Sequence, residues 1–434
     1  MVTAINPVGP AGQPTKYAVV ISSTGPTTPG LATFVDFSGD TVLITASIGV
    51  DPYYLAVSSD GTTGYTLNRD TTVNSFDISP GLLSTQVLQT TLLSGAAPVS
   101  IFPAGTHTYI PEPGRSAVAD LAGSPPKLTQ ELGPVTNGTY VAGVSGAPRV
   151  YALGWDGTAN GQAYTIETAT NTIDQTPITI GSNPVYGVMT ADGRRVFTMN
   201  KGDATVSVIN SQTNQLDTIP ATGSNSIPVG LNPVWADFAP TRNELVVASA
   251  GDGTSPGSVS IISIPLCSVT TSPANPNSGC DPNNPVDATG FGTVLATVPV
   301  GVNPVMVSVL RDGTRAYVAN AGDPNLPCAA VAVPGQSTVC SVSVINLTTN
   351  TVTATITTLP DTAPAGSATC TTAKPAVVCG RPNWIAATTG SPTGKVYVTA
   401  GDSNNMSIIR TDIDAIDTIV PLQGKGVAVR VTAP

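Results

Sequence analysis

Residues 303–320 read NPVMVSVLRDGTRAYVAN, and residues 183–200 read NPVYGVMTADGRRVFTMN. Pro184 corresponds to Pro304, Asp192-Gly193 to Asp312-Gly313, and Asn200 to Asn320. In each stretch eight residues lead from the proline to the aspartate, and eight more lead to the asparagine. Residues 51–68, DPYYLAVSSDGTTGYTLN, keep that spacing through Pro52, Asp60 and Asn68. Residues 232–249, NPVWADFAPTRNELVVAS, keep the length, with Thr241 and Ser249 at the two later places. Looser copies follow: one from Pro382 with a small insertion, a shorter one from Ala97, and one from Gly138 without the proline.

Each copy continues alike. TVSVINSQTNQLDTI (205–219), CSVSVINLTTNTVTATI (340–356), QAYTIETATNTIDQTPITI (162–180) and NMSIIRTDIDAIDTI (405–419) are two β-rich runs around a Thr-x-Asn or related turn. Asp-Gly between apolar runs is a strong hairpin signal. One unit is therefore four short strands in roughly 45 residues, which predicts the blade of a β-propeller. Seven units are complete in sequence. The ends supply the eighth: residues 17–50 match strands two to four, and GKGVAVRVTAP (424–434) matches strand one. The expectation is an all-β propeller of four-stranded antiparallel blades. It has eight blades, closed by the C-terminal strand joining the N-terminal blade, which removes open sheet edges. Seven blades is the alternative, if the unit at 97–134 is not a blade. The chain reads as one domain over 1–434, with an N-terminal extension at 1–15 and loop insertions near 265–290, 323–340 and 361–380.

The motifs NPV-x5-DG-x4-YVAN and TVSVIN-x3-N resemble the YVTN-type β-propeller repeats of bacterial and archaeal surface and periplasmic proteins. The resemblance runs over nearly the whole chain and is clearest at 51–95, 183–220 and 302–356. It implies the propeller fold and a surface-layer-like or lactonase-like relative.

Composition agrees with strands and turns. The chain has 434 residues, with 43 glycines, 39 prolines and only 10% charged residues. Net charge is −10 and no Lys/Arg cluster exceeds the pair Arg194-Arg195. A nucleic-acid binder needs a basic patch, so nucleic acid is not expected as a partner. No apolar run is long enough for a membrane-spanning helix. The six cysteines fall into neighbouring pairs within loop-like stretches, and the expected disulfides are Cys267–Cys280, Cys328–Cys340 and Cys370–Cys379. None of these pairs has zinc-finger spacing, and the lone histidine, His107, is remote. Disulfides imply an oxidising compartment. The expectation is therefore a mature extracellular, cell-surface or periplasmic protein. Sequons at Asn137, Asn346 and Asn405 are compatible with that.

In a propeller of this strand order, the loops from strand four to one and from strand two to three share one rim, called the top here. Three repeated positions map there. The residue before the proline is Asp51, Asn183, Asn232, Asn303 or Arg381. The second-loop aspartates are Asp70, Asp203, Asp252, Asp323 and Asp402, a negative set that attracts cations or basic partners. For both sets the competing reading is local turn chemistry. Calcium is compatible with such a rim, but no stretch matches an EF-hand loop. Two residues after the proline stand Tyr54, Tyr186, Trp235, Met306 and Trp384. Where the resemblance implies a small residue, these large ones predict an aromatic collar at the channel mouth, suited to glycan or peptide stacking. Wedging between blades is the competing reading.

General acid–base work most often uses histidine, and His107 lies in FPAGTHTYIP without a partner motif. GVSGAP (143–148) does not fit the nucleophile elbow. The functional expectation is a binding or structural scaffold without a cofactor, engaging a glycan, peptide or protein through its top rim. Self-association would suit the same surface. The enzyme alternative, drawn from the resemblance, is a lactonase-like metal-dependent hydrolase using Asp51, Asp237 and the rim asparagines.

Overall fold

The computed structural model describes residues 17–78, 86–123, 125–220, 222–265, 290–328, 340–362, 366–388 and 394–432. They form eight antiparallel blades around one axis. Blade 1 pairs Lys425–Val431 with Tyr17–Ser23, then Pro29–Asp36 and Val42–Val50. The C-terminal strand thus closes the ring as expected, with Val429 opposite Val20 and Ala428 opposite Ile21. Blade 2 is Pro52–Val57, Thr63–Asn68, Thr72–Asp77 and Val87–Thr91. Blade 3 is Phe102–Pro103, His107–Glu112, Ala117–Ala122 and Lys127–Leu132, so the weak unit is a true blade. Blade 4 is Tyr140–Ala142, Arg149–Trp155, Gly161–Glu167 and a split outer strand, Thr172–Ile173 and Ile178–Ile180. Blade 5 is Pro184–Met189, Arg195–Asn200, Thr205–Asn210 and another split strand, Gln215–Leu216 and Ser226–Pro228. Blade 6 is Pro233–Ala239, Glu244–Ser249, Pro256–Ser263 and Val294–Val302. Blade 7 is Pro304–Val309, Arg315–Asn320, Ser341–Asn346 and Thr351–Leu359, with Val378–Cys379 added parallel at its outer edge. Blade 8 is Pro382–Ala387, Lys395–Ala400, Asn405–Arg410 and Ala415–Pro421. Among the described residues no helix is long and apolar enough to cross a membrane.

The repeated residues have structural reasons. Gly193 (φ +72°) and Gly313 (φ +69°) take the left-handed conformation that the tight hairpin requires. The residue before the proline is also left-handed, at φ +46° for Asp51, +50° for Asn183, +56° for Asn232 and +52° for Asn303. Asn and Asp tolerate that region best among side-chain-bearing residues. The strand-two asparagines are buried clasps. Asn200 Nδ2 donates to Thr205 Oγ1 (3.0 Å) and Ser207 Oγ (2.9 Å), and Asn320 Nδ2 to Ser341 Oγ (3.1 Å) and Ser343 Oγ (2.9 Å). Ser207 in turn accepts the Gly181 N–H of the preceding blade at 3.1 Å.

A second tie joins neighbouring blades near the opposite rim. The Tyr109 hydroxyl donates to Asn171 Oδ1 (2.9 Å), Tyr151 to Asn214 Oδ1 (3.0 Å) and Tyr317 to Asp414 Oδ1 (2.6 Å). Each acceptor sits left-handed in the strand-three to strand-four turn of the next blade. Between these ties the faces interdigitate: Val246, Val259 and Ile261 of blade 6 pack on Val307, Val318 and Ile345 of blade 7. The recurrence is therefore architecture, since apolar faces and polar ties must repeat with the blades.

Blade 3 breaks the clasp. Glu112, fully buried, ends its second strand where other blades place Asn68, Asn200 and Asn320. Burial, reinforced by the neighbouring Glu131 carboxylate, pushes its pKa up from 4.5 to about 8. Arg115 holds Glu131 ionised. Between those two values the folded state binds a proton that the unfolded state has released. The resulting stabilisation is full below about pH 4.5 and is lost as pH rises through about 8. Glu112→Gln is expected to raise the melting temperature at pH 8 and to flatten stability between pH 5 and 8. Thermal melts across that range test it, and an unchanged pH profile would refute it.

Candidate functional site

The collar positions of the inner strands do converge on the axis. Tyr54, Tyr186 and Met306 are buried and Trp235 and Trp384 half-buried. They are joined by Tyr140, which sequence comparison missed because blade 4 lacks the proline. Its position two residues after Gly138, as Tyr186 follows Pro184, was the available signal. Tyr186 stacks on Trp235 (centroids 3.9 Å, 19° between planes) and contacts Tyr140 at 4.7 Å. Trp235 meets Trp384 edge-on at 5.5 Å, and Trp384 meets Tyr54 at 5.7 Å. Trp384 packs against apolar clusters of several blades. The rings form a plug across the channel rather than an open collar, because large side chains on inner strands fill the axis that eight blades leave.

Below the plug, on the face of the strand-one to strand-two hairpins, lies a cavity of about 800 Å³. Tyr186, Trp235 and Met306 form its floor. The next inward position, two residues further along each inner strand, supplies Val188, Asp237, Ser308, Ala386 and Arg430. Arg311, Asp192 and Asn243 stand at its mouth. Arg430 comes from the closing strand, so this wall exists only once the ring is complete. Its guanidinium carbon lies 4.8 Å from the Trp384 ring centre and 5.8 Å from that of Trp235. Its Nε donates to the Leu55 carbonyl at 3.4 Å, and it faces the Tyr54 hydroxyl. Asp237 accepts the Phe238 N–H (2.9 Å) and the Val309 N–H (2.8 Å), one on each oxygen. Burial raises its pKa to about 6, the two amides and the arginines opposing the rise. The plug hydroxyls of Tyr54, Tyr140 and Tyr186 are held un-ionised by burial.

The top-rim residues do not gather at one point. Asp70 accepts the Val50 and Thr72 N–H groups, Asp203 that of Ser182, and Asp402 that of Arg381. Asp252 accepts the Thr254 and Ser255 N–H groups, and Asp323 that of Asn325. Asp51 accepts Ser23 Oγ at 2.8 Å, and Asn232 Nδ2 reaches the Gly251 carbonyl at 2.6 Å, as Asn303 reaches Gly322 at 3.4 Å. The Asn183 carbonyl accepts the Lys201 N–H at 2.9 Å. Arg381 clamps the Cys328-bearing loop of blade 7 through the carbonyls of Ala321, Gly322, Asp323 and Leu326.

Cys328–Cys340 and Cys370–Cys379 are disulfide-bonded, with Cα separations of 4.9 and 5.1 Å. The expected Cys267–Cys280 pair and the N-terminal extension lie outside the described residues. Asp361 approaches Cys370 and Cys379, but those sulfurs are bonded to each other and are not thiolate ligands. His107 Nδ1 lies 2.8 Å from Asp120 Oδ1, and Asp120 also accepts Thr129 Oγ1 and Asn171 Nδ2. That network ties strands together and does not face the large cavity. Asp51 stands at the top rim of blade 2, and Asp237 stands in the cavity wall of blade 6.

No family model matches the chain, and no curated protein matches it. Solved structures share its fold. The chain is similar to the dihydro-heme d1 dehydrogenase NirN at 12% identity, covering 98% of this chain and 78% of that one, with a TM-score of 0.61. It is similar to Citrobacter koseri AztD at 10% identity over 96% and 97% of the two chains, TM-score 0.58. A candidate 6-phosphogluconolactonase of Bacteroides fragilis NCTC 9343 matches at 12% identity over 98% and 99%, TM-score 0.52. Identities this low show the propeller fold alone.

Proposed function

We propose that the protein is a binding propeller of an oxidising compartment, whose ligand is a small molecule held in the cavity on the hairpin face. The cavity itself carries this reading: about 800 Å³, floored by stacked aromatics, with a few polar groups set in apolar walls. That is the composition of small-molecule sites in general. The two disulfides support the compartment. The top-rim groups are used within their own turns and loops, which favours the opposite face for the ligand. The separation of Asp51 from Asp237 favours binding over the lactonase-like alternative.

The test is a metabolite library screened by intrinsic tryptophan fluorescence, since Trp235 lines the cavity. Val188→Trp fills the cavity from its wall without altering the plug. The expected result is at least one compound binding more tightly than about 1 mM, with binding lost in Val188→Trp while the fold persists by circular dichroism. No binding to the unmodified protein, or equal binding to the filled variant, would overturn the proposal.

A further inference from the structure

Among the charged residues of the cavity lining, Asp237 and Arg430 feel each other's charge without a direct ion pair. Nor does Asp237 pair with Arg311 at the mouth. Such an arrangement is unusual in a half-buried apolar site, because a charge removed from water without a partner is costly. Each is instead fixed in place by groups that use part of its hydrogen-bonding capacity.

The two backbone amides on Asp237 use one lone pair on each oxygen. An ionised carboxylate offers about four such sites, so about two are left for a donor in the cavity. Arg430 lies over the Trp384 ring, with Nε on the Leu55 carbonyl and the Tyr54 hydroxyl beside it. A guanidinium has five donors in a fixed fork, so donors beyond those two contacts are left for a planar anion such as a carboxylate. The floor beside Asp237 and Arg430 is apolar and aromatic: Tyr186, Trp235 and Met306.

Resting on the binding reading above, we propose that the ligand is a zwitterionic amino acid, free or at the end of a short peptide, with an apolar or aromatic side chain. Its ammonium goes to Asp237, its carboxylate to Arg430, and its side chain to the aromatic floor. A lone acid would satisfy Arg430 and leave Asp237 unpaired. A lone amine would do the reverse. Discrimination between these classes follows from the same cost that makes the empty arrangement unusual.

The experiment measures L-phenylalanine, 3-phenylpropionate and 2-phenylethylamine against the unmodified protein by calorimetry and tryptophan fluorescence. The three share a ring and differ in which charge is present. L-phenylalanine is expected to bind at least about tenfold more tightly than either analogue, the scale of one charged hydrogen bond. Asp237→Asn is expected to bring L-phenylalanine down to the affinity of 3-phenylpropionate. The comparison on the unmodified protein stands even if that variant folds poorly. Either analogue binding as tightly as L-phenylalanine would overturn the proposal. So would failure of all three to bind below about 10 mM. If another library compound still bound and was blocked by Val188→Trp, the binding reading would survive and the zwitterion would not. If no compound bound at all, both would fall.

Discussion

Removal of residues 424–434 is expected to open the ring and abolish cooperative unfolding near the native melting temperature. Blade 1 would lose the strand that lines the axis, including the fully buried Ala428 and Val429. The strand Tyr17–Ser23 would become an open edge with unpaired backbone groups. Arg430, one pole of the cavity, would go with it. Losing a whole strand exceeds the usual range of point substitutions, so a fall of more than about 10 °C is expected. Calorimetry tests this, and a synthetic peptide of residues 424–434 added in trans should restore part of the loss. A truncated chain melting within about 2 °C of the intact one would show that this strand does not hold the ring.

Asp217→Ala is expected to destabilise the protein by about 3–5 kcal/mol. Arg195, at the start of the second strand of blade 5, is fully buried and forms an ion pair with Asp217, which is 7% exposed. Burial raises the Asp217 pKa and Arg195 opposes the rise, so the pair balances desolvation against attraction. Removing the acid leaves the guanidinium buried without the Asp217 carboxylate. Replacing both, as Arg195→Met with Asp217→Leu, should restore most of the loss, since an apolar pair of similar volume is often no worse than a buried ion pair. Urea denaturation of the three variants gives the result. A single-variant loss under about 1 kcal/mol would refute the role assigned to the pair.

The hydrophobic and turn patterns carried the fold because both are local and must recur with each blade. An Asp-Gly hairpin such as Asp312-Gly313 is chosen by backbone conformation, and Asn303 before Pro304 by its left-handed φ. The clasp of Asn320 on Ser341 and Ser343 joins strands next to each other in sequence. Ring closure was legible too, because residues 17–50 and 424–434 each carry part of a unit that the other completes. The two described disulfides joined cysteines that are neighbours along the chain.

What only the tertiary structure decided concerns the axis, where residues from different blades meet with no fixed relation in sequence. Tyr54, Tyr186, Trp235, Met306 and Trp384 were visible as a set of large residues. Whether they stood open as a collar or packed into a plug depended on how far side chains from opposite blades reach across the channel. The same holds for Arg430 and Asp237. They lie at equivalent positions of inner strands in blades 1 and 6, far apart in the chain, and share a cavity only because the ring closes. Local pattern specified the blade, and the packing of eight blades placed the site.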